Sequence, residues 1–367
     1  MVTIARPPID EVFMARALFH AARGAGRTSP NPLVGAVVVS SDGVVVGQGF
    51  HERAGEPHAE VHALAAAGAR ARGATLYCTL EPCCHHGRTG PCVSRIVDAG
   101  VARVVAAVED PNPAVRGRGF AFLRANGVEV EVGVGADDAI ALNRPFFTLM
   151  REGRPFVIMK AATSADGRMA SAPGVRTPLT SDEANRHAHR VRAEVDAIAV
   201  GSNTILVDDP SLTARGAFRE RPLVRVVFDR RLRTPPSARV LSTLDDGPVI
   251  IVTSAEAAAR ADRRTALEAR GAHVGVARGG SFRGEMELLA DHGIGSVLLE
   301  GGARVHAAAW DEGLVDFVRL YVTPHVIGSA GVPLLDARPF STAELDGRRV
   351  AQLGPDALIE GYVHRIG

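Results

Sequence analysis

The chain has little of several things that would settle its class at once. Cysteine is scarce: Cys78, Cys83, Cys84 and Cys92 fall in one fifteen-residue window, and none occurs elsewhere in the 367 residues. That excludes a general disulfide framework and reads better as metal binding or thiol chemistry. An excess of one charge is also missing. With 42 basic and 41 acidic side chains the net charge is +1, so no electrostatic footprint for DNA or RNA is present. No apolar run approaches the roughly 18 residues a membrane span needs, and the N-terminus lacks a basic segment followed by an apolar stretch and a cleavage site. A cytoplasmic protein that touches no membrane is expected. A G-x-G-x-x-G after a strand is missing from the second half, which leaves a Rossmann assignment there without support.

What is there suits two soluble domains. Apolar residues make up 46% of a chain too long for one ordinary domain, so two cores, and two active sites, are possible. A helix is expected from Asp10 to Arg23, with Val12, Phe13, Leu18, Phe19 and Ala22 on related faces. A hairpin follows, Leu33 to Val39 and Val44 to Phe50 around Ser40-Ser41-Asp42-Gly43. Next come an Ala-rich helix near His58, a strand at Ala74 to Leu80, a helix after Pro91 and a strand at Val101 to Val108. Breaker-rich segments from Asn143 to Pro155 place the boundary, giving domains over 1–147 and 154–367. Strand-like runs then start at Phe156, Ala197, Val224, Val249, Ser296 and Phe317, the last reaching Val326, with helical segments between most of them. Both halves are α/β with largely buried sheets.

The sharpest motif is His58-Ala59-Glu60 at a helix start, followed by Pro82-Cys83 and Cys92. One imidazole and two thiolates leave the fourth tetrahedral position of a Zn²⁺ ion open, as a catalytic site requires. A nearby carboxylate that does not ligate, Glu60, can then shuttle a proton from water to a departing amine. Eight residues separate Cys83 from Cys92, where cytidine deaminases have two. Cys84, His85 or His86 could therefore ligate instead; His58, Cys83 and Cys92 are preferred, with Cys84 in reserve. For an isolated His-x-Glu the packing reading would win, but three elements in the right order favour one zinc per chain.

Pro57-His58-Ala59-Glu60-Val61-His62-Ala63-Leu64, Thr28-Ser29-Pro30-Asn31-Pro32-Leu33-Val34-Gly35, Glu81-Pro82-Cys83 with His85 to Cys92, and Asp110-Pro111-Asn112-Pro113 resemble a known family. They look like the diaminohydroxyphosphoribosylaminopyrimidine deaminase half of the bifunctional riboflavin-pathway proteins. The resemblance covers most of residues 10 to 145. It implies a cytidine-deaminase-like α/β/α sandwich, with Asn31 and His51 near the pyrimidine and Arg88 near the ribose phosphate. As residues alone, Asn31 reads equally well as a turn residue and Arg88 as a loop charge.

In the second half, Glu300-Gly301-Gly302-Ala303 closes an apolar strand and opens a helix, a geometry that aims free amides at a phosphate, although such a glycine pair is more often a tight turn. With Met159-Lys160-Ala161-Ala162-Thr163, Val200 to Thr204 and Asp208 to Thr213 it resembles the reductase half of the same family, from about Pro155 to the C-terminus. That implies a dihydrofolate-reductase-like α/β domain. The resemblance places Ala162, Thr204, Asp208, Gly302 and Ala303 beside NADPH, and Arg192, Leu212, Arg215 and Glu300 beside the substrate. Composition alone would make Arg192 a helix-surface charge. Arg176 and Pro178 stand where relatives tend to carry serine and tryptophan.

The implied activity is hydrolytic deamination of 2,5-diamino-6-(5-phosphoribosylamino)pyrimidin-4-one at zinc, then reduction of the ribosyl side chain by NADPH. The expected partners are this small molecule, no nucleic acid, and further copies of the chain joined through the reductase half. The alternative is a nucleoside or tRNA base deaminase with an appended binding domain. Near-zero net charge, the long Cys83 to Cys92 spacing and the reductase-like half oppose it. A regulatory zinc module without catalysis is opposed by Glu60 beside an open coordination position.

Overall fold

A computed structural model describes residues 8–84, 90–336, 338 and 340–364 of the chain. It divides into two compact units, Met1–Glu152 and Gly153–Gly367.

The first unit runs α1 (Ile9–Ala22), β1 (Gly35–Val39), β2 (Val45–Phe50), α2 (Ala59–Ala67), β3 (Thr75–Cys78), α3 (Cys92–Asp98) and β4 (Arg103–Ala106). It continues with α4 (Arg118–Ala125), β5 (Glu129–Val132), α5 (Ala136–Leu142) and α6 (Arg144–Glu152). The sheet order is β2-β1-β3-β4-β5; β1 is antiparallel to both neighbours and β3, β4 and β5 run parallel. Alternation along the strands makes two cores. Ala36, Val38, Leu76 and Val104 face α2, α3 and α4, while Val37, Val39, Tyr77 and Val105 face α1 and α5. This is the α/β/α sandwich that the sequence led us to expect.

The buried face of α1 is Met14, Ala17 and Ala21, whereas Val12 and Phe19 are exposed. The small residues win because α1 lies directly on β1: a Cβ on Gly35 would stand 2.0 Å from the Ala17 carbonyl oxygen. A second correction concerns the breaker-rich segment after Asn143, which is the helix α6. Pro145 sits in its first turn, where the missing amide has no helical partner to lose. Asn143 ties this region to the first unit, with Oδ1 accepting from the Leu33 amide (2.7 Å) and Nδ2 donating to the Leu33 carbonyl (2.9 Å).

The second unit opens with β6 (Phe156–Thr163), β7 (Arg168–Ala170), α7 (Asp182–Glu194), β8 (Ala197–Gly201), α8 (Ser202–Asp208), β9 (Val224–Phe228) and β10 (Val249–Thr253). Then come α9 (Ala255–Ala258), α10 (Ala261–Glu268), β11 (His273–Val276), α11 (Phe282–Asp291), β12 (Ser296–Glu300), α12 (Ala303–Asp311) and β13 (Phe317–Val322). The chain ends with β14 (Val332–Pro333), β15 (Asp346–Leu353) and β16 (Asp356–Tyr362). Nine strands form the order β11-β10-β9-β8-β12-β6-β13-β16-β15, parallel except for β16 and its two pairings. The parallel strands are buried on both faces, β8 and β10 throughout, which is why they read as unbroken apolar runs. The strand expected to reach Val326 ends at Val322, and Val326 is exposed. Nothing in the sequence reading anticipates β15, because its residues are exposed on both faces and show no alternation. Among the described residues no helix is long and apolar enough to cross a membrane.

One ion pair pins the start of this unit to its sheet. Arg154, 2% exposed, holds Asp316 through Nη1 (2.7 Å) and Nη2 (2.9 Å), and the same carboxylate accepts from the Val157 amide (2.7 Å). Removing one partner of a buried pair strands the other charge. Asp316→Ala is therefore expected to destabilise the second unit by about 3–5 kcal/mol in chemical denaturation. The metal content of the first unit should not change.

Candidate active site

In the first unit, two helix starts and one loop converge. His58 is the N-cap of α2, Cys92 is the first residue of α3, and Cys83 lies in the loop after β3. His58 Nδ1 is 3.5 Å from Cys83 Sγ and 3.4 Å from Cys92 Sγ, and all three ligand atoms lie within 4.8 Å of one another. Zinc bonds of about 2.3 Å to sulfur and about 2.1 Å to nitrogen, set tetrahedrally, separate such atoms by about 3.6 Å. The donor set and spacing therefore fit a zinc ion. The Cys92 amide, at the α3 N-terminus, donates to Cys83 Sγ (3.4 Å).

The protons of the two thiols are coupled. Hydrogen bonding from Cys92, then from His58, lowers the pKa of Cys83, while Cys92, donor to that thiolate and buried, is pushed up. One proton is shared where a divalent cation would displace it. Cys84 lies outside this cluster, and His85, His86 and Arg88 lie outside the described residues.

Glu60 is 3% exposed, and its Oε2 has no hydrogen-bond partner among the described residues. Burial raises its pKa, with His58 opposing. It lines a cavity of about 450 Å³ together with Asn31, His51, His58 and Cys83. His51 is buried, and burial lowers its pKa. Its Nδ1 lies 3.3 Å from the Pro57 carbonyl and its Nε2 lies 3.3 Å from Asn31 Nδ2. A neutral ring donating at Nδ1 accepts at Nε2, which leaves Asn31 Oδ1 as the acceptor for a ligand.

Three lining residues received no role from sequence, although their motifs were visible: Glu81, Asp110 and Asn112. Glu81 is the anchor of the loop. Its carboxylate accepts backbone amides from Asp110 (3.1 Å), Gly117 (2.9 Å), Gly119 (2.8 Å) and Phe120 (3.3 Å). An acidic residue two positions before a candidate ligand was the available signal.

In the second unit β8, β12 and β6 lie side by side and parallel, so their carboxyl ends open on one edge, where open α/β sheets bind ligands. Glu300 and Lys160 are register partners there. Arg192 grips the Glu300 carboxylate through Nε and Nη2, both 2.7 Å, and Lys160 Nζ stands 3.8 Å away. Burial opposes ionisation of Glu300, but Arg192 and then Lys160 outweigh it and hold the carboxyl down at about 2. Arg192 also donates to the Thr213 carbonyl (3.0 Å), so its guanidinium is committed within the protein rather than solvated on a helix surface.

The turn after Glu300 suits a phosphate. Gly301 (φ 132°) and Gly302 (φ 74°) adopt conformations that side chains rarely take, and the Ala303 and Arg304 amides at the start of α12 have no carbonyl partner within the helix, whereas Val305 already donates to Gly302. A Cβ on Gly302 would meet nothing within 4 Å, while one on Gly301 would stand 3.0 Å from Thr204 Oγ1. Asp208 ends α8; its Oδ1 is buried without a partner among the described residues, burial raises its pKa, and Arg176 opposes that shift. Ala162 is half-buried next to Tyr321. Leu212 (φ 55°) buries its side chain in the core, so only its backbone can meet a ligand. Arg215 is exposed. These features fit a nicotinamide dinucleotide.

Comparisons with known proteins agree for both units. Residues 7–108 match the cytidine and deoxycytidylate deaminase zinc-binding region, and residues 155–359 match the RibD C-terminal domain. The chain is similar to the riboflavin biosynthesis protein RibD of Aquifex aeolicus, 40% identical over 354 residues, covering 96% of this chain and 98% of that one. Among solved structures it resembles Acinetobacter baumannii RibD, form 1 (TM-score 0.84, 35% identity, 97% and 99% coverage). It also resembles a diaminohydroxyphosphoribosylaminopyrimidine deaminase/5-amino-6-(5-phosphoribosylamino)uracil reductase from Thermotoga maritima (TM-score 0.80, 32% identity, 96% and 98% coverage).

Four amides aimed at one carboxylate make Glu81 a testable anchor. Glu81→Ala leaves these buried donors unpaired, and each stranded donor costs about 1–3 kcal/mol. A loss of about 3 kcal/mol or more in the stability of the first unit is expected by denaturant titration, with faster metal loss to a chelator.

Proposed function

The chain belongs to the RibD family of riboflavin-biosynthesis proteins, and on that premise we propose which of its residues carry each reaction. It is a bifunctional enzyme, a zinc-dependent deaminase joined to an NADPH-dependent reductase. The nucleic-acid base deaminase reading is not favoured. We assign the deaminase to 1–147 and the reductase to 154–367.

In the deaminase half the metal is held by His58, Cys83 and Cys92; the observation that carries this reading is the 3.4–3.5 Å from His58 Nδ1 to each sulfur, beside the buried Glu60, whose Oε2 has no hydrogen-bond partner among the described residues. Zinc held there would lower the pKa of a water and offer its oxygen to the ring carbon that bears the amino group. Glu60 takes the proton from that water and passes it to the amino nitrogen, so that a C–O bond forms, the C–N bond breaks and the nitrogen leaves as ammonia. Its burial supports this role, because burial raises the pKa of the carboxyl and so favours the protonated form that the shuttle passes through. Asn31 and His51 orient the pyrimidine, and Arg88 takes the ribose phosphate.

In the reductase half NADPH supplies the hydride for C1′ of the ribosyl side chain. Gly302 and Ala303 present amides to a cofactor phosphate, while Ala162, Thr204 and Asp208 border the cofactor. Glu300, held ionised by Arg192 and Lys160, positions the ribosyl hydroxyls, with the Leu212 backbone and Arg215 beside it. Alignment of hydride and carbon is the main contribution of the chain.

Variants should separate the two chemistries. Cys92→Ser should lose the one zinc per chain by elemental analysis. Glu60→Gln should keep it while ammonia release falls by about 10² or more, the usual consequence of losing a general base. Reduction of supplied deaminated intermediate should survive. Asp208→Asn should show the reverse, with normal ammonia release and slowed NADPH oxidation. Loss of both activities in either folded, zinc-loaded variant would overturn the two-site assignment.

A homo-oligomer joined through the reductase half completes the proposal, in a cytoplasmic protein whose four cysteines, none in a disulfide, suit a reducing compartment. β15 at the sheet edge supports self-association, with Val350 exposed in mid-strand. Light scattering should give a multiple of the single-chain mass, lowered by Val350→Lys. A monomeric parent protein would contradict this.

A further inference from the structure

His306 takes no part in either reaction as described, yet it is fully buried directly behind the turn that opens α12. Its Nε2 lies 3.2 Å from the Gly301 amide nitrogen and 3.2 Å from the Leu299 carbonyl oxygen, and its Nδ1 has no partner among the described residues. Burial pushes the ring down to about 4, so it is neutral at physiological pH and has one N–H and one lone pair.

Nε2 therefore serves one neighbour at a time. If it carries the proton and bonds Leu299, the Gly301 N–H faces another N–H and the Nδ1 lone pair stays empty. If Nδ1 carries the proton, Nε2 accepts from Gly301, while the Nδ1 donor and the Leu299 carbonyl are left without His306 as a partner. The two arrangements leave equal numbers of groups unmet, but only the second gives the Gly301 N–H an acceptor. It also has a mechanical consequence. Drawing the Gly301 amide inward fixes the glycine conformations that turn the following amides outward. The same peptide anchors Glu300, whose carboxylate is already gripped by Arg192.

We propose that His306, in its Nδ1-protonated form, is the positioning residue that sets the Glu300–Gly302 turn for NADPH, by accepting the Gly301 amide from behind. The proposal rests on the assignment of the α12 N-terminus to the cofactor phosphate. Leu at this position keeps much of the bulk but removes the acceptor. Gln offers an acceptor oxygen on a flexible stem.

The test is the NADPH dissociation constant of zinc-loaded full-length protein, measured by cofactor fluorescence without substrate. His306→Leu should weaken binding by about tenfold, the effect of one stranded buried amide. Ammonia release should be unchanged, and His306→Gln should recover most of the affinity. In nitrogen NMR of the parent protein, the His306 signal absent from His306→Leu should show Nε2 as the bare nitrogen. Unchanged affinity in a folded His306→Leu protein, or a protonated Nε2, would overturn the role of His306. Ala303→Asp separates this from failure of the underlying assignment. An acidic residue suits a helix start but repels a phosphate, so unchanged NADPH affinity in Ala303→Asp would mean that the cofactor site lies elsewhere.

Discussion

Two thiols and an imidazole crowded within hydrogen-bonding distance form an arrangement that a chain does not keep without help. The two sulfurs share one proton, with Cys83 shifted down and Cys92 up, and a divalent cation bound there would displace it. Much of the first unit serves to hold this cluster. His58 and Cys92 are fixed at the starts of α2 and α3, and Cys83 is fixed by the loop that Glu81 anchors through four amides. Close packing sets the helices. A Cβ on Gly47 would stand 2.1 Å from the Ala63 carbonyl oxygen, so α2 lies directly on β2, and His58 is placed as firmly as the sheet itself.

The second unit solves a different electrostatic problem. A carboxylate is needed at the open edge of a parallel sheet, in surroundings that would otherwise keep it protonated. Glu300 stays ionised because Arg192 and Lys160 flank it, and both are placed by regular structure, one on α7 and the other as a register partner on β6. Long side chains set by helix and strand positions hold their geometry better than loop residues would.

The fold was legible where burial leaves a period in the sequence. The hairpin β1–β2 and the buried strands β8, β10 and β12 are apolar runs of the right length, and the motifs around His58 and Cys92 mark helix starts. Legibility failed where local composition conflicts with tertiary packing. The Asn-Arg-Pro segment reads as a linker, but Pro145 costs a first-turn helix nothing and Phe147 is buried. β15 is exposed along both faces and is a strand only because β16 offers it a ladder. In the active site, ligand types were readable from chemistry, whereas Glu81 and His306 act on backbone amides far along or behind the chain. Such bonds leave no spacing pattern to read.

One chain performs a hydrolytic deamination and then a hydride transfer on the same small molecule. The direct measurement is to supply the zinc-loaded protein with 2,5-diamino-6-(5-phosphoribosylamino)pyrimidin-4-one and NADPH, and to follow ammonia and NADPH together. Ammonia should appear first, NADPH oxidation should follow after a lag, and the two should reach equal final amounts. Ammonia release without NADPH oxidation, or oxidation that precedes ammonia, would contradict the account.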